Sequence, residues 1–171
     1  GSNIDPMGPI PAEIASLTGA SQVNTFNTGS WGGQVAMGNG FAFGAELNIG
    51  SREYQFLIFT AGSQANVGFD LALRNLGTGA VCASSNQPVG INGWYAEGQA
   101  YAGVFGQVGI RVKIFGAKRN FNILSIAAAA VLQAKLPNPF WAQGAVGGQY
   151  NILNGLIKGQ CNFQFTIGEL C

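Results

Sequence analysis

The stretch from Trp94 to Ile114 constrains this chain most, because it alternates in character with period two over its whole length. Trp94, Ala96, Ala100, Ala102, Val104, Val108, Ile110, Val112 and Ile114 stand at even positions, against Glu97, Gln99, Tyr101, Gln107, Arg111 and Lys113 at odd ones. Only a strand sends neighbouring side chains to opposite faces in this way. At about 3.3 Å per residue the segment would run roughly 70 Å, several times an ordinary strand. Gly98, Gly103, Gly106 and Gly109 are therefore expected at bends or bulges.

The same period recurs on both sides. From Trp31, the residues Val35, Met37, Phe41, Phe43, Ala45, Leu47 and Ile49 share one parity, and Gly50-Ser-Arg-Glu53 reads as a polar turn. Tyr54 to Leu73 sets Leu57, Phe59, Ala61, Ala65, Val67, Phe69 and Leu71 against Gln64, Asn66 and Asp70. Phe56-Leu-Ile-Phe59 is apolar on both faces, which predicts cover on both sides. Leu76 to Gly93 is the least regular connection, and its length marks it as a functional or exchanged segment. Gly116-Ala-Lys-Arg-Asn120 reads as a basic hairpin turn, more simply solvated than bound to nucleic acid.

Leu124 to Leu132 contains four consecutive alanines and would make a good helix by propensity alone. Its neighbours are strands joined by short turns, and a buried strand also reads as a continuous apolar run, so the expectation is a strand. After Pro137-Asn-Pro139, alternation resumes from Phe140 to Leu153, and Asn154-Gly155 is a two-residue hairpin signal. The last segment sets Ile157, Cys161, Phe163, Phe165 and Ile167 against Lys158, Gln160, Asn162, Gln164 and Thr166. The fold class expected is all-β: a long-stranded antiparallel meander forming a β-sandwich or barrel-like sheet, with its apolar side buried.

Residues 1–30 have no sustained period and are expected as an extended N-terminal arm, with residues 31–171 as a single β domain. Pro6, Pro9 and Pro11 bar a regular helix or central strand through the first dozen positions. Pro11 to Leu17 could form one or two helical turns stopped by Gly19. Ile10, Ile14, Leu17, Val23 and Phe26 are its anchors, and an arm of this kind can be exchanged onto a neighbouring copy's sheet edge.

Composition narrows the chemistry. Charged residues make up 9% of the chain, against about 25% in an average soluble domain. The net charge of +1 gives no overall electrostatic footprint for nucleic acid. The chain contains no histidine, which removes the commonest general base and all His-dependent triads and metal sites. The acids are scattered, and the glycines do not sit in a strand–loop–helix context that would cradle a phosphate. The expectation is a non-enzymatic protein with no catalytic residue, cofactor or metal.

Cys82, Cys161 and Cys171 lack zinc-ligand spacing and are disulfide candidates, one of which must stay unpaired within the chain. Cys161 shares parity with Phe163 and Phe165 and is expected to be buried. Tyr95, Tyr101, Phe105 and Trp141 are candidates for an exposed aromatic stripe, able to stack on sugars or to pack at an interface. Stacked Asn and Gln on the polar side suggest amide ladders between repeated subunits.

From Gly93-Trp-Tyr-Ala-Glu-Gly-Gln-Ala-Tyr101 to the end, the chain resembles the C-terminal β-rich regions of large secreted proteins of Bacteroidota-type bacteria. Residues 127–141, Asn154-Gly-Leu-Ile-Lys-Gly159 and the Cys161–Cys171 ending carry the likeness. It implies an extracellular or cell-surface setting and no particular activity. The leading expectation is a structural subunit that partners copies of itself in a fibre or surface assembly. The alternatives are an outer-membrane β-barrel, the one reading that calls for a membrane, and a sandwich that binds carbohydrate or lipid.

Overall fold

The computed structural model describes residues 10–20, 39–50, 54–56 and 59–169. Helix α1 (Ala12–Thr18) is followed by strands β1 (Asn39–Gly50), β2 (Tyr54–Phe56), β3 (Phe59–Asn75), β4 (Trp94–Ile114), β5 (Ala117–Leu136), β6 (Trp141–Ile152) and β7 (Ile157–Gly168). All seven strands belong to one antiparallel sheet of order β1-β3-β4-β5-β6-β7, with β2 beside the start of β3. The Ala-rich run is indeed strand, inside β5. The sheet does not close. Among the described residues there is no second sheet, so the meander is correct while the sandwich and barrel forms are not.

Register makes the two faces continuous from edge to edge. Leu47, Val67, Ala102, Ala130, Val146 and Phe163 stand directly opposite one another across six strands, and so do Ala45, Phe69, Ala100, Leu132, Gly144 and Phe165. Residues paired in this way point to the same side. Every such row on that side is built from aliphatic, aromatic or small residues. The other side carries rows such as Asp70, Gln99, Gln133, Gln143 and Thr166. One register shift, at Val108/Gly109, is a bulge that bends the β4–β5 ribbon.

Aromatic rings lie over glycines on neighbouring strands, which explains why the chain is rich in both. A Cβ on Gly68 would strike the Tyr101 ring, one on Gly144 the Phe165 ring, and one on Gly159 the Tyr150 ring. Cross-strand aromatics restore the packing that glycine alone would lose.

The second layer is α1, stopped by Gly19 in the left-handed conformation at φ 74°. It packs on the polar-patterned side, not on the apolar one. Ile10, Ile14, Leu17 and Ala20 form its buried stripe with Tyr101, Ala127, Ala129, Val131 and Ala145, flanked by Phe105. Glycine makes the seat: a Cβ on Gly147 would overlap the Leu17 carbonyl and come within 2.8 Å of the Thr18 Cα, and one on Gly103 would meet Ile14 at 2.9 Å. Gln164 Nε2 donates to the Thr18 carbonyl at 3.3 Å, tying the helix to β7.

The expected extended arm on a neighbour's edge is thus corrected. Ile14 and Leu17 on α1, and Ile10 just before it, pack on the face of their own sheet, because Gly103, Ala129 and Gly147 leave room for a backbone to approach. Val23 and Phe26 lie outside the described residues.

Candidate functional surface

The expectation of a buried apolar side is reversed. Phe41, Phe43, Leu47, Ile49, Val67, Phe69, Val104, Leu132, Val146, Phe163 and Ile167 are all exposed, Phe43 at 51% and Phe163 at 66%. Phe59, expected to be covered, is exposed too. The largest side chains cluster on β1, β3 and β7, while β4 contributes Ala96, Gly98, Ala100 and Ala102 between them. Where Ser63, Gly106 and Ile126 meet, the surface dips into an open depression of about 500 Å³ lined by Ile49, Ala65, Val104 and Ala128. Phe41 and Phe43 stack 6.4 Å apart, and Phe43 meets Phe69 edge-on at 6.2 Å. No charged residue lies in the rows that run from Phe43 to Ile49 across to β7.

The opposite side buries polar groups. Gln133 Nε2 donates to Gln99 Oε1 at 3.2 Å, and Gln99 Nε2 donates to Asp70 Oδ2 at 2.7 Å. Amide pairing therefore occurs across the strands of one chain, as a directed relay ending on a carboxylate. Gln133 is fully buried, and its Oε1 and that of Gln143 have no hydrogen-bond partner among the described residues.

Beside this relay Glu97, 1% exposed, pairs with Lys135 across β4 and β5, its Oε1 3.7 Å from Nζ. Burial pushes the Glu97 carboxyl above the usual range, with Lys135 and Arg74 opposing that shift. Burial likewise pulls the Lys135 ammonium down, with Glu97 opposing. Tyr95, whose hydroxyl donates to the Pro139 carbonyl at 3.1 Å, is pushed up to about 12 by burial and by Glu97. Tyr101 is pushed up to about 12 by burial, then by Glu46 and Asp70.

The aromatic stripe expected on the surface is corrected in the same way. Tyr95, Tyr101 and Trp141 are buried and Phe105 packs against the α1 cluster. They have the parity of the covered side, so these four residues do not form the exposed stripe expected of them. Cys161 does share a side with Phe163 and Phe165, but that side is open, so its thiol is free and exposed. Cys82 is buried in a small cluster with Val89 and Tyr95 under the 76–93 connection, its sulfur 3.2 Å from the Ser84 hydroxyl. Cys171 lies outside the described residues.

Two turns at one end of the sheet differ from their sequence signals. The β4–β5 turn is centred on Phe115 and Gly116, both at positive φ (50° and 79°), with Ala117 to Asn120 already in strand. The β6–β7 turn spans four residues, Leu153 to Leu156, rather than Asn154-Gly155 alone, because Ile152 and Ile157 are the last pair. The basic turn expected at residues 116–120 is thus narrowed to Phe115 and Gly116, which places Lys118 and Arg119 in β5 opposite Lys113 and Val112. The signal available was an aromatic directly before Gly116 at a hairpin apex.

No family model, curated protein or solved structure matches the chain. Among the described residues no group of three or more Cys, Asp or Glu could hold a metal ion, and no helix is long and apolar enough to cross a membrane.

Proposed function

We propose that this chain is a non-enzymatic structural module that associates with copies of itself through its apolar sheet face, as a subunit of an extracellular fibre or surface assembly. The observation that carries the reading is the uncovered face itself. Six strands about 4.8 Å apart, each contributing roughly 8–12 residues of about 3.3 Å, span on the order of 1,000 Å². A standard interface covers about 800 Å² per partner, and monomeric proteins rarely leave apolar patches beyond about 600 Å² open. The face is uncharged, so a second identical face meets no unpaired charge, and an overall charge of +1 repels copies weakly. The extracellular setting is what the sequence resemblance of residues 93–171 implies.

Sedimentation of the wild type beside Val146→Glu tests the reading. Val146 lies in mid-face, opposite Ala130 and Phe163. Burying an unpaired carboxylate there costs more than about 3 kcal/mol, so dissociation should strengthen at least a hundredfold. Modification of the Cys161 thiol should slow in step with association. A wild type that stays monomeric at high concentration, or a variant that associates equally well, would sink the proposal.

A further inference from the structure

At one end of the sheet the β4–β5 ribbon outruns its neighbours. β3 begins opposite Ile110, and β6 ends opposite Leu124. Among the described residues, backbone pairing within 111–120 is therefore only of this hairpin with itself, which runs roughly 15 Å past the last pair with either neighbour. Its ten residues hold four of the chain's eight cations, Arg111, Lys113, Lys118 and Arg119, and none of its seven acids.

Two features of this finger work against folding. Lys113 and Lys118 stand directly opposite each other, where like charges destabilise a ribbon. Phe115 sits at the apex at φ 50° and is fully exposed. A two-residue turn with both central residues at positive φ favours Asn, Asp or Gly, so a bulky aromatic there is strained and buries nothing. Among the described residues, Arg111 is the finger cation that is tied down, to Asn120 at 3.1 Å and Gln55 at 3.2 Å. Local rules broken together at one exposed tip point to function rather than stability. At the same end the β6–β7 turn exposes Leu153 and Leu156, with Lys158 following, also exposed.

An apolar apex collared by cations matches a layer that is anionic outside and apolar within. We infer that the 111–120 finger is a membrane-surface anchor: Phe115, helped by Leu156, enters the headgroup boundary while Lys113, Lys118 and Arg119 contact anionic lipid headgroups. This goes beyond self-association and does not depend on it, since the finger lies at the sheet's end and not on its apolar face.

The test is co-sedimentation of the full chain with vesicles of phosphatidylcholine alone, or mixed with phosphatidylglycerol. Binding is expected to the mixed vesicles. It should weaken when ionic strength rises from about 0.1 M to about 1 M, as the Debye length falls from about 10 Å to about 3 Å. Lys113→Gln with Lys118→Gln should weaken partitioning roughly thirtyfold, while thermal stability holds or rises because the like-charge pair is gone. Phe115→Ser should weaken it about tenfold or more. Equal binding to both vesicle types, unaffected by these variants but abolished by Val146→Glu, would assign lipid contact to the apolar face and overturn the inference. Binding to soluble heparin with no vesicle binding, or with no dependence on Phe115, would overturn it in favour of a polyanion site.

Discussion

Adding one methyl group at Gly147 should separate the helix from the sheet. A Cβ there would stand 2.8 Å from the Thr18 Cα and closer still to the Leu17 carbonyl. Carbon pairs settle at about 3.5–4.0 Å, so α1 must lift by about 1 Å or more, and it is held by backbone that cannot rotate away. Burial of Ile10, Ile14 and Leu17 contributes roughly 5–9 kcal/mol, and ordering the seven-residue helix costs a comparable amount. Docking is thus finely balanced. Overpacking of this kind costs about 1–3 kcal/mol, enough to release α1 while leaving the sheet intact. Gly106 is the control, because a Cβ there meets nothing within 4 Å on the open side of the sheet. Gly106→Ala should be neutral or stabilising by up to about 1 kcal/mol through the unfolded chain. Urea denaturation with hydrogen exchange of the α1 amides reads both effects, and Gly147→Ala should lower Tm by roughly 3–10 °C. A Gly147→Ala protein as stable as the wild type, with α1 still protected, would refute the glycine seat. A Gly106→Ala protein as damaged as Gly147→Ala would refute the open face.

Beyond the tests of association and membrane anchoring, three further outcomes follow from buried groups. Glu97→Ala should cost about 3–5 kcal/mol by stranding Lys135 beside Arg74, whereas Glu97→Leu with Lys135→Met should recover most of that loss; urea titration of the three proteins checks it. Because burial raises the folded pKa of Glu97, its contribution is fully present below the usual value near 4.5 and is lost as pH rises through the folded value. The wild type should therefore lose stability relative to Glu97→Gln across that window, and a difference that grows instead would reverse the assigned cause. With the Cys161 thiol free and exposed, Cys171 is the intramolecular partner left for Cys82. A non-reducing peptide map should show Cys82 joined to Cys171 and Cys161 alkylated; alkylation of all three without reduction would refute the pairing.

Alternation of small apolar and polar residues determined the strands, their antiparallel order and even the identity of β5, where four alanines favoured a helix in isolation. Strand pairing follows from short connections, and the turns at Gly116 and Gly155 were legible within a residue or two. What alternation does not contain is the identity of the covered side. A period of two states that the faces differ, and the customary rule then buries the apolar one. Here glycines at 103 and 147, with alanines at 127, 129 and 145, cut a seat for α1 into the polar-patterned side, drawing Tyr101 and Phe105 inward. Tyr95 and Trp141, and the amides of Gln99, Gln133 and Gln143, are buried on that side as well. Cys161 and Phe163 kept the side their parity assigned and lost the cover assumed for it. The projecting finger was equally out of reach of the sequence, since its length beyond β3 and β6 depends on where those neighbours stop. Local chemistry determined which residues share a face; only the tertiary structure, by laying α1 and the 76–93 connection on the same side, decided which face remains open.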